Sequence, residues 1–146
     1  MNFDNIEILF AEDSIDDAIL TIRALEKNGF TNKLYHVKDG AEAFDFLYCR
    51  GPYITRNSSE IPKLILLDLK MPKVTGMQVL EKLKSDPNLK SIPVVILTSS
   101  QEDPDIAKCY ALGANSYIVK PVDSINFFNA VKEIGMYWMI FNQLAH

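Results

Sequence analysis

Charged and hydroxyl side chains stand at the ends of four separate apolar runs in this chain of 146 residues. The run IEILFA is followed by Glu12 and Asp13, and the run LILL is followed by Asp68. PVVIL turns polar at Thr98, and SYIV leads into Lys120. Three carboxylates, one hydroxyl and one ammonium group suit a divalent cation beside a phosphoryl group, provided that the fold brings them together.

Short runs rich in Val, Ile and Leu alternate with segments whose apolar residues recur at helical spacing. We predict five strands, at 6–11, 33–38, 63–69, 93–97 and 117–119. A helix follows each strand, and the fifth, capped by Asp123 or Ser124, is predicted to run from about 124 to 145. The alternative is a bend or an early end at Gly135, since glycine costs roughly 1 kcal/mol within a helix. This alternation indicates a parallel sheet with helices on both faces, for which the flavodoxin-like order 2-1-3-4-5 is suited. We therefore predict a single α/β domain over residues 1–146.

The predicted topology brings the polar strand ends to one place. In open α/β sheets the ligand lies beyond the carboxyl ends of the strands, where the strand order reverses. That point falls between strands 1 and 3, which end at Glu12–Asp13 and Asp68. Strands 4 and 5 end at Thr98 and Lys120 on the same edge, so we expect one pocket.

Composition excludes several classes of protein. The net charge is −4 and no cluster of Lys and Arg is present, which argues against a nucleic-acid-binding surface. No apolar run reaches the ~18 residues of a membrane span, and the first ten residues do not resemble a signal peptide. The two cysteines, Cys49 and Cys109, have no metal-ligand spacing. We expect a cytoplasmic protein with reduced thiols.

The acidic residues favour a divalent cation. Crowded carboxylates repel one another, and a bound cation removes that penalty. Mg²⁺, or Mn²⁺ in its place, prefers oxygen ligands and commonly takes one or two carboxylates plus a phosphate oxygen. We expect Asp13 and Asp68 as direct ligands, Glu12 acting through water, and the backbone carbonyl of Lys70 as one more ligand. The simpler alternative is that Glu12 and Asp13 only begin a helix near the positive end of its dipole.

Asp68 is also a candidate nucleophile. It follows four apolar residues, so its carboxylate needs a partner or a task. A carboxylate can attack phosphorus to form an aspartyl phosphate, with Lys120 pairing with one phosphoryl oxygen and Thr98 donating to another. Singly, each residue has a simpler interpretation, as a loop cap, a strand former or a solvated lysine. The phosphoryl-acceptor hypothesis depends on all of these residues lying at equivalent strand ends.

At these residues the chain resembles the receiver domain of two-component response regulators, over essentially its whole length. The matching pieces are Glu12–Asp13 after strand 1, Asp68 in LILLDLKMPKVTG, Thr98 in VVILTSS, and Lys120–Pro121 in SYIVKP. Pro72 and Gly76 fall where the family has a loop proline and a loop glycine. The resemblance implies that Asp68 accepts a phosphoryl group from a histidine kinase, with Mg²⁺ held by Asp13, Asp68 and the Lys70 carbonyl.

The resemblance also implies a conformational switch. Thr98 would be drawn towards the phosphoryl group, and Tyr117 would fill the space behind it. The surface that changes would then be helix 4, strand 5 and helix 5. The Lys120–Pro121 peptide bond is implied to be cis, which proline permits.

Two regions exceed a minimal receiver domain, and no stretch could hold a helix-turn-helix output domain. We predict a tolerated surface insertion at 50–62. The segment IGMYWMIF, at 134–141, is too apolar for an exposed helix, so Tyr137, Trp138 or Phe141 should pack across a dimer or partner surface or else complete the domain's own core. A homodimer could also form through helix 4, strand 5 and helix 5. Both regions resemble those of small stand-alone regulators that partner bacterial phytochromes.

Two other functions compete with the receiver hypothesis. Haloacid-dehalogenase-type phosphatases also use a strand-end aspartate as nucleophile, but they need a second acid two residues later. Lys70 occupies that position, which disfavours this class of enzyme. An unphosphorylated pseudo-receiver that acts only as an adaptor is the other alternative. The presence of Asp68, Thr98 and Lys120 together argues against it.

Overall fold

A computed structural model describes residues 3, 6–27 and 33–136 of the chain. Its strands are β1 (Ile8–Ala11), β2 (Leu34–Val37), β3 (Leu64–Asp68), β4 (Val94–Thr98) and β5 (Ser116–Val119). Its helices are α1 (Ile15–Lys27), α2 (Gly40–Leu47), α3 (Gly76–Ser85), α4 (Asp105–Leu112) and α5 (Ser124–Glu133), with a short 3₁₀ turn at Gly51–Tyr53. None of the helices within these ranges is long and apolar enough to cross a bilayer.

All the strands pair in parallel, in the order β2-β1-β3-β4-β5. The three central strands are buried along their whole length, because helices cover both faces of the sheet. β2 lies at an edge, and only Val37 of this strand is fully buried. Two separate apolar clusters, one on each face, form the core. The predicted fold class and strand order are confirmed.

The register of the sheet aligns the strand ends that carry polar groups. Ala11 of β1 lies opposite Leu67 of β3, so Glu12 and Asp68 end neighbouring strands at the same level. Asp68 pairs with Leu97 on β4, one residue before Thr98. Thr98 in turn pairs with Val119 of β5, one residue before Lys120. The Lys120–Pro121 bond is cis, as the resemblance implies.

The start of α3 lies directly against the end of β3. The Gly76 N–H donates to the Leu69 carbonyl at 3.1 Å. A Cβ atom at position 76 would come 2.2 Å from the backbone oxygen of Asp68, which only glycine avoids. Thr75 and Gln78 close the helix end with a reciprocal capping box. The loop glycine therefore permits the close packing that fixes the Asp68 backbone.

The last helix is shorter than predicted. α5 ends at Glu133, whereas the sequence pattern predicted one helix from about 124 to 145, and this prediction is wrong in extent. Gly135 adopts a left-handed conformation with φ of 78°, and its N–H bonds to the Lys132 carbonyl. The Met136 N–H bonds to Val131 at 2.8 Å, which completes a Schellman cap, and the Met136 side chain is buried. Tyr137, Trp138 and Phe141 lie outside the described residues.

The insertion at 50–62 contributes to the core, contrary to the prediction of a plain surface loop. Tyr53 is 2% exposed, and its hydroxyl donates to Glu42 at 2.6 Å and lies 3.0 Å from the Tyr35 hydroxyl. The Arg56 guanidinium lies 3.9 Å from the centroid of the Phe46 ring. The insertion therefore closes the apolar cluster between β2 and α2, because an aromatic ring near the turn enters it.

Candidate functional site

A cleft of about 220 Å³ opens at the carboxyl edge of the sheet. It is lined by all six residues predicted to bind metal or phosphoryl groups: Glu12, Asp13, Asp68, Lys70, Thr98 and Lys120. Each comes from the end of a strand or the loop after it, so the parallel register is what brings them together. The structure therefore places these six residues in one cleft, as the topology predicted, and their chemical roles stay predictions.

The three carboxylates form one cluster. One oxygen each from Glu12, Asp13 and Asp68 lies within 4.8 Å of the others, a separation that a single metal ion could bridge. Glu12 is fully buried and Asp68 almost so, whereas Asp13 is exposed at the rim of the cleft. The cluster therefore has two desolvated members and one that faces water.

Lys120 partly neutralises this cluster. Its Nζ atom lies 2.8 Å from Glu12 Oε1, 3.3 Å from Asp68 Oδ1 and 3.1 Å from Asp17 Oδ2. Burial acts to lower the pKa of Lys120, but these carboxylates overcome that effect and raise it above its ordinary value. The ammonium is therefore held in its charged form beside the candidate phosphoryl acceptor.

One ammonium does not neutralise the buried acids completely. Burial, together with a hydrogen bond and charge repulsion from Glu12, raises the pKa of Asp68 to about 8. Lys120 and the Lys70 N–H, which lies 3.3 Å from Asp68 Oδ1, act in the opposite direction but are outweighed. At neutral pH without a cation, Asp68 therefore retains a proton in much of the population.

The donor set fits a divalent cation. Glu12 Oε1 is buried and, apart from its ion pair with Lys120, accepts no well-oriented hydrogen bond. A carboxylate oxygen has more than one lone pair, so Glu12 Oε1 can bind a cation while Lys120 pairs with it. Oxygen-only donors suit Mg²⁺ or Mn²⁺ better than zinc or copper. Lys70 lines the same cleft, and the part of its backbone carbonyl as a ligand stays a prediction.

Thr98 directs its hydroxyl into its own loop. The side chain is 2% exposed, and Oγ1 lies 3.0 Å from the Ser100 carbonyl and 3.3 Å from Asp103 Oδ2, both of which are acceptors. The Ser100 N–H donates to the same oxygen at 3.3 Å. The hydroxyl is thus at the cleft but engaged by the β4–α4 loop.

Tyr117 lies beside the cleft and does not line it. The ring is half-buried on β5 and meets Tyr110 of α4 edge to face, with 6.2 Å between centroids. The structure therefore places the predicted switch aromatic against the helix that the resemblance implies should move.

Two acids at the site were not predicted from the sequence. Asp17 on α1 reaches Lys120, and Asp103 in the loop between β4 and α4 reaches Thr98. Asp17 lies in the first turn of α1, four residues after Asp13, and this closeness to the acidic pair in the sequence could have identified it. Asp103 stands among other loop acids, Glu102 and Asp105, and nothing in the sequence distinguishes it from them.

We predict that the Asp68 proton links stability to pH in the metal-free protein. The folded pKa of about 8 lies above the ordinary aspartate value, so this group stabilises the fold most below about pH 4 and the contribution is lost as pH rises to 8. The free energy of unfolding of the wild type should therefore fall by about 1–3 kcal/mol relative to Asp68→Asn between pH 5 and 9. Denaturant unfolding in EDTA measures it, with Asp105→Asn as the exposed control. A constant or growing difference would contradict the assignment.

Comparison with known proteins agrees with this geometry. A sequence profile of the response regulator receiver domain matches residues 8–132. The response regulator Rcp1 of Synechocystis sp. is 38% identical over 132 residues, which cover 90% of this chain and 88% of Rcp1. Its Mn²⁺-bound crystal structure superposes with a TM-score of 0.71, at 37% identity, over 90% of this chain and 93% of that one.

Two further solved structures are similar. The bacteriophytochrome response regulator AtBRR is 43% identical, with a TM-score of 0.85 over 92% of this chain and 96% of that one. The phosphorylated cyanobacterial phytochrome response regulator RcpA is 38% identical, with a TM-score of 0.73 over 92% and 94% of the two chains. From the matched profile, these identities and the shared fold, the chain belongs to the response regulator receiver domain family of two-component signalling.

Proposed function

We propose that Asp68 is the phosphoryl acceptor of this receiver domain and that it works with Mg²⁺. The observation that carries the proposal is the position of Lys120 Nζ, 3.3 Å from Asp68 Oδ1, within a cluster of three carboxylates. A charged ammonium and a metal-ligating acid cluster beside one buried carboxylate favour phosphoryl transfer to that carboxylate. The phosphorylated form of RcpA and the Mn²⁺-bound form of Rcp1 support this chemistry for relatives.

In the transfer step an Asp68 carboxylate oxygen attacks phosphorus, and the bond from phosphorus to the donor atom breaks. The donor is the imidazole nitrogen of a histidine kinase, which leaves with the electron pair. Glu12, Asp13, Asp68 and the Lys70 carbonyl would hold Mg²⁺, which would supply positive charge against the repulsion within the cluster and on the phosphoryl oxygens. Lys120 pairs with one phosphoryl oxygen as a point charge.

The receiver role is favoured over a phosphatase that turns over many substrate molecules. Lys70 lines the cleft at the position where a haloacid-dehalogenase-type enzyme needs a general acid. Lys70 offers an ammonium group there in place of the carboxyl group that such an enzyme uses as acid and base. We therefore propose that catalysis is confined to phosphoryl transfer to Asp68 and its later hydrolysis.

We predict stoichiometric labelling by a small phosphoryl donor. With acetyl phosphate and Mg²⁺, the wild type should gain one alkali-labile, hydroxylamine-sensitive phosphoryl group per chain. Asp68→Asn, Asp68→Ala and wild type in EDTA should lose labelling by about a hundredfold or more, because the acceptor or its charge compensation is gone. Intact-protein mass spectrometry measures the label, and Asp105→Asn should match the wild type. Labelling of Asp68→Ala, or rapid multiple turnover, would contradict the receiver role.

We propose a histidine kinase of the phytochrome class as the phosphoryl donor. Three apolar side chains of α1, those of Ile15, Ile19 and Leu20, are exposed at 69%, 41% and 56% on the helix that follows the Glu12–Asp13 end of β1. Apolar side chains beside a charged cleft suit a docking partner that must place one residue at the acceptor. The relatives AtBRR and RcpA carry phytochrome response regulator names, which supports this class of partner. We propose a cytoplasmic setting, where such kinases and reduced thiols such as Cys109 occur.

The proposed output is a change at Thr98 and Tyr117. A phosphoryl group on Asp68 carries nearly two negative charges and strong acceptor oxygens, so it competes for the Thr98 hydroxyl. Movement of Thr98 opens space on β4, and Tyr117 then leaves its edge contact with Tyr110. The contacts of α4, β5 and α5 with a partner change as a result.

We predict that phosphorylation moves the Tyr117 ring. In a tyrosine-labelled sample, the Tyr117 ring signals should shift on addition of acetyl phosphate and Mg²⁺, because the contact with Tyr110 is lost. NMR measures the shift, and Thr98→Ala should suppress it while leaving Asp68 labelled. Unchanged Tyr117 signals in a fully phosphorylated sample would contradict this route.

A homodimer through α4, β5 and α5 is a further proposal. Ile125 and Phe128 of α5 are 73% and 39% exposed, and Tyr110 of α4 is also exposed. We predict a dimer by sedimentation at high micromolar concentration, weakened by Ile125→Ser and Phe128→Ser, because burial of these side chains contributes about 1–3 kcal/mol each. A monomer at that concentration, with and without acetyl phosphate, would remove the proposal. The predicted alternative is a dimer through the C-terminal residues Tyr137, Trp138 and Phe141, which lie outside the described part of the chain.

A further inference from the structure

Asp103 is a buried acid in the cleft that none of the steps above uses. Its side chain is 5% exposed, in the loop between β4 and α4. Oδ1 accepts the Asp105 N–H at 2.9 Å, which orders the first turn of α4. Oδ2 faces the cleft, which Asp103 lines together with Asp68 and Thr98.

The second carboxylate oxygen of Asp103 contacts two side chains at the cleft, those of Thr98 and Lys70. Oδ2 accepts from Thr98 Oγ1 at 3.3 Å. The same oxygen lies 3.7 Å from Lys70 Nζ, so the Lys70 side chain extends from the β3–α3 loop to the β4–α4 loop. A threonine hydroxyl has one proton, so it cannot donate to Asp103 or Ser100 and to a phosphoryl oxygen at once.

We propose that Asp103 is a positioning residue that holds Thr98 and Lys70 in the resting arrangement and thereby opposes the phosphorylated state. The inference rests on the proposed function of Asp68. The Lys70 side chain is 70% exposed, so its ion pair with Asp103 is weak alone, while the Thr98 contact is buried and screened little by solvent. The carboxylate also faces the cleft with a charge of the same sign as the incoming group.

Phosphorylation then leaves Asp103 with a changed set of partners. When Thr98 turns to the phosphoryl oxygen, Asp103 keeps the Asp105 N–H and loses a buried donor. A buried carboxylate with fewer donors is unfavourable, so the loop that begins α4 relaxes with it. Asp103 thus connects the state of the acceptor to α4 independently of Tyr117 on β5.

The test compares Asp103→Asn with Asp105→Asn. Asparagine at 103 retains one oxygen that can accept the Asp105 N–H, and it replaces the charged Oδ2 with an amide NH₂ group that cannot accept from Thr98. Asp105→Asn removes the same charge from an exposed position nearby. The probe is beryllium fluoride with Mg²⁺, which mimics a phosphoryl group on a carboxylate, and calorimetry measures its dissociation constant. Asp103→Asn should bind it about three- to tenfold more tightly than the wild type, and Asp105→Asn should not.

A double-mutant cycle shows whether the effect acts through Thr98. In a Thr98→Val background, which removes the hydroxyl and keeps the shape, the gain from Asp103→Asn should fall to about twofold or less. Asp103→Ser, whose hydroxyl also caps the Asp105 N–H, repeats the measurement without the charge. Equal affinity of the Asn, Ser and wild-type proteins, or a full gain without the Thr98 hydroxyl, would overturn the proposal.

The same experiment separates this inference from the function on which it rests. If the wild type binds no beryllium fluoride with Mg²⁺, the acceptor role of Asp68 fails and the inference fails with it. If the wild type binds it and Asp103→Asn behaves like Asp105→Asn, only the role of Asp103 is lost. A lower thermal stability of Asp103→Asn with unchanged affinity would show a purely structural cap, which also overturns the proposal.

Discussion

Repulsion among three carboxylates, only partly relieved by one ammonium, is the constraint on which this site depends. Glu12, Asp13 and Asp68 offer oxygens within 4.8 Å of one another, and Lys120 is close to two of them. The sheet imposes this proximity because its parallel register places the strand ends at one level. Burial in the core of the domain keeps the backbone from relaxing away from it.

The negative charge that Lys120 does not neutralise is the reason why the cleft attracts positive groups. A proton, a divalent cation or the positive groups around a phosphoryl oxygen can each reduce the repulsion, and they compete for the same oxygens. The raised pKa of Asp68 shows that, without a cation, a proton reduces the repulsion. Asp103 adds a further negative charge from the β4–α4 loop, and at rest it engages the Thr98 hydroxyl, which must turn to a phosphoryl oxygen.

The sequence was sufficient for the convergence of the site and the order of the strands. An apolar run that ends in Asp68 or Lys120 predicts both the strand and the functional residue at its end. Parallel topology then places these strand ends at one edge of the sheet. Apolar content alone overestimated the length of α5, because Gly135, the early end that the sequence offered as the alternative, stops the helix through its backbone conformation. Tyr53 in the insertion and Asp103 in the loop were missed because their burial depends on tertiary neighbours, which local composition does not show.

The most direct test of the account is the location of a bound cation in solution. Substoichiometric Mn²⁺ should broaden the amide NMR signals of residues around 12–13 and 68–70, while signals at the opposite edge, such as that of Ile92, remain sharp. Excess Mg²⁺ should restore the broadened signals, and Asp13→Asn should weaken the effect, because the acid cluster loses a ligand. Broadening centred elsewhere on the domain, or none at millimolar Mn²⁺, would contradict the claim that this cleft holds a metal beside the Asp68 acceptor.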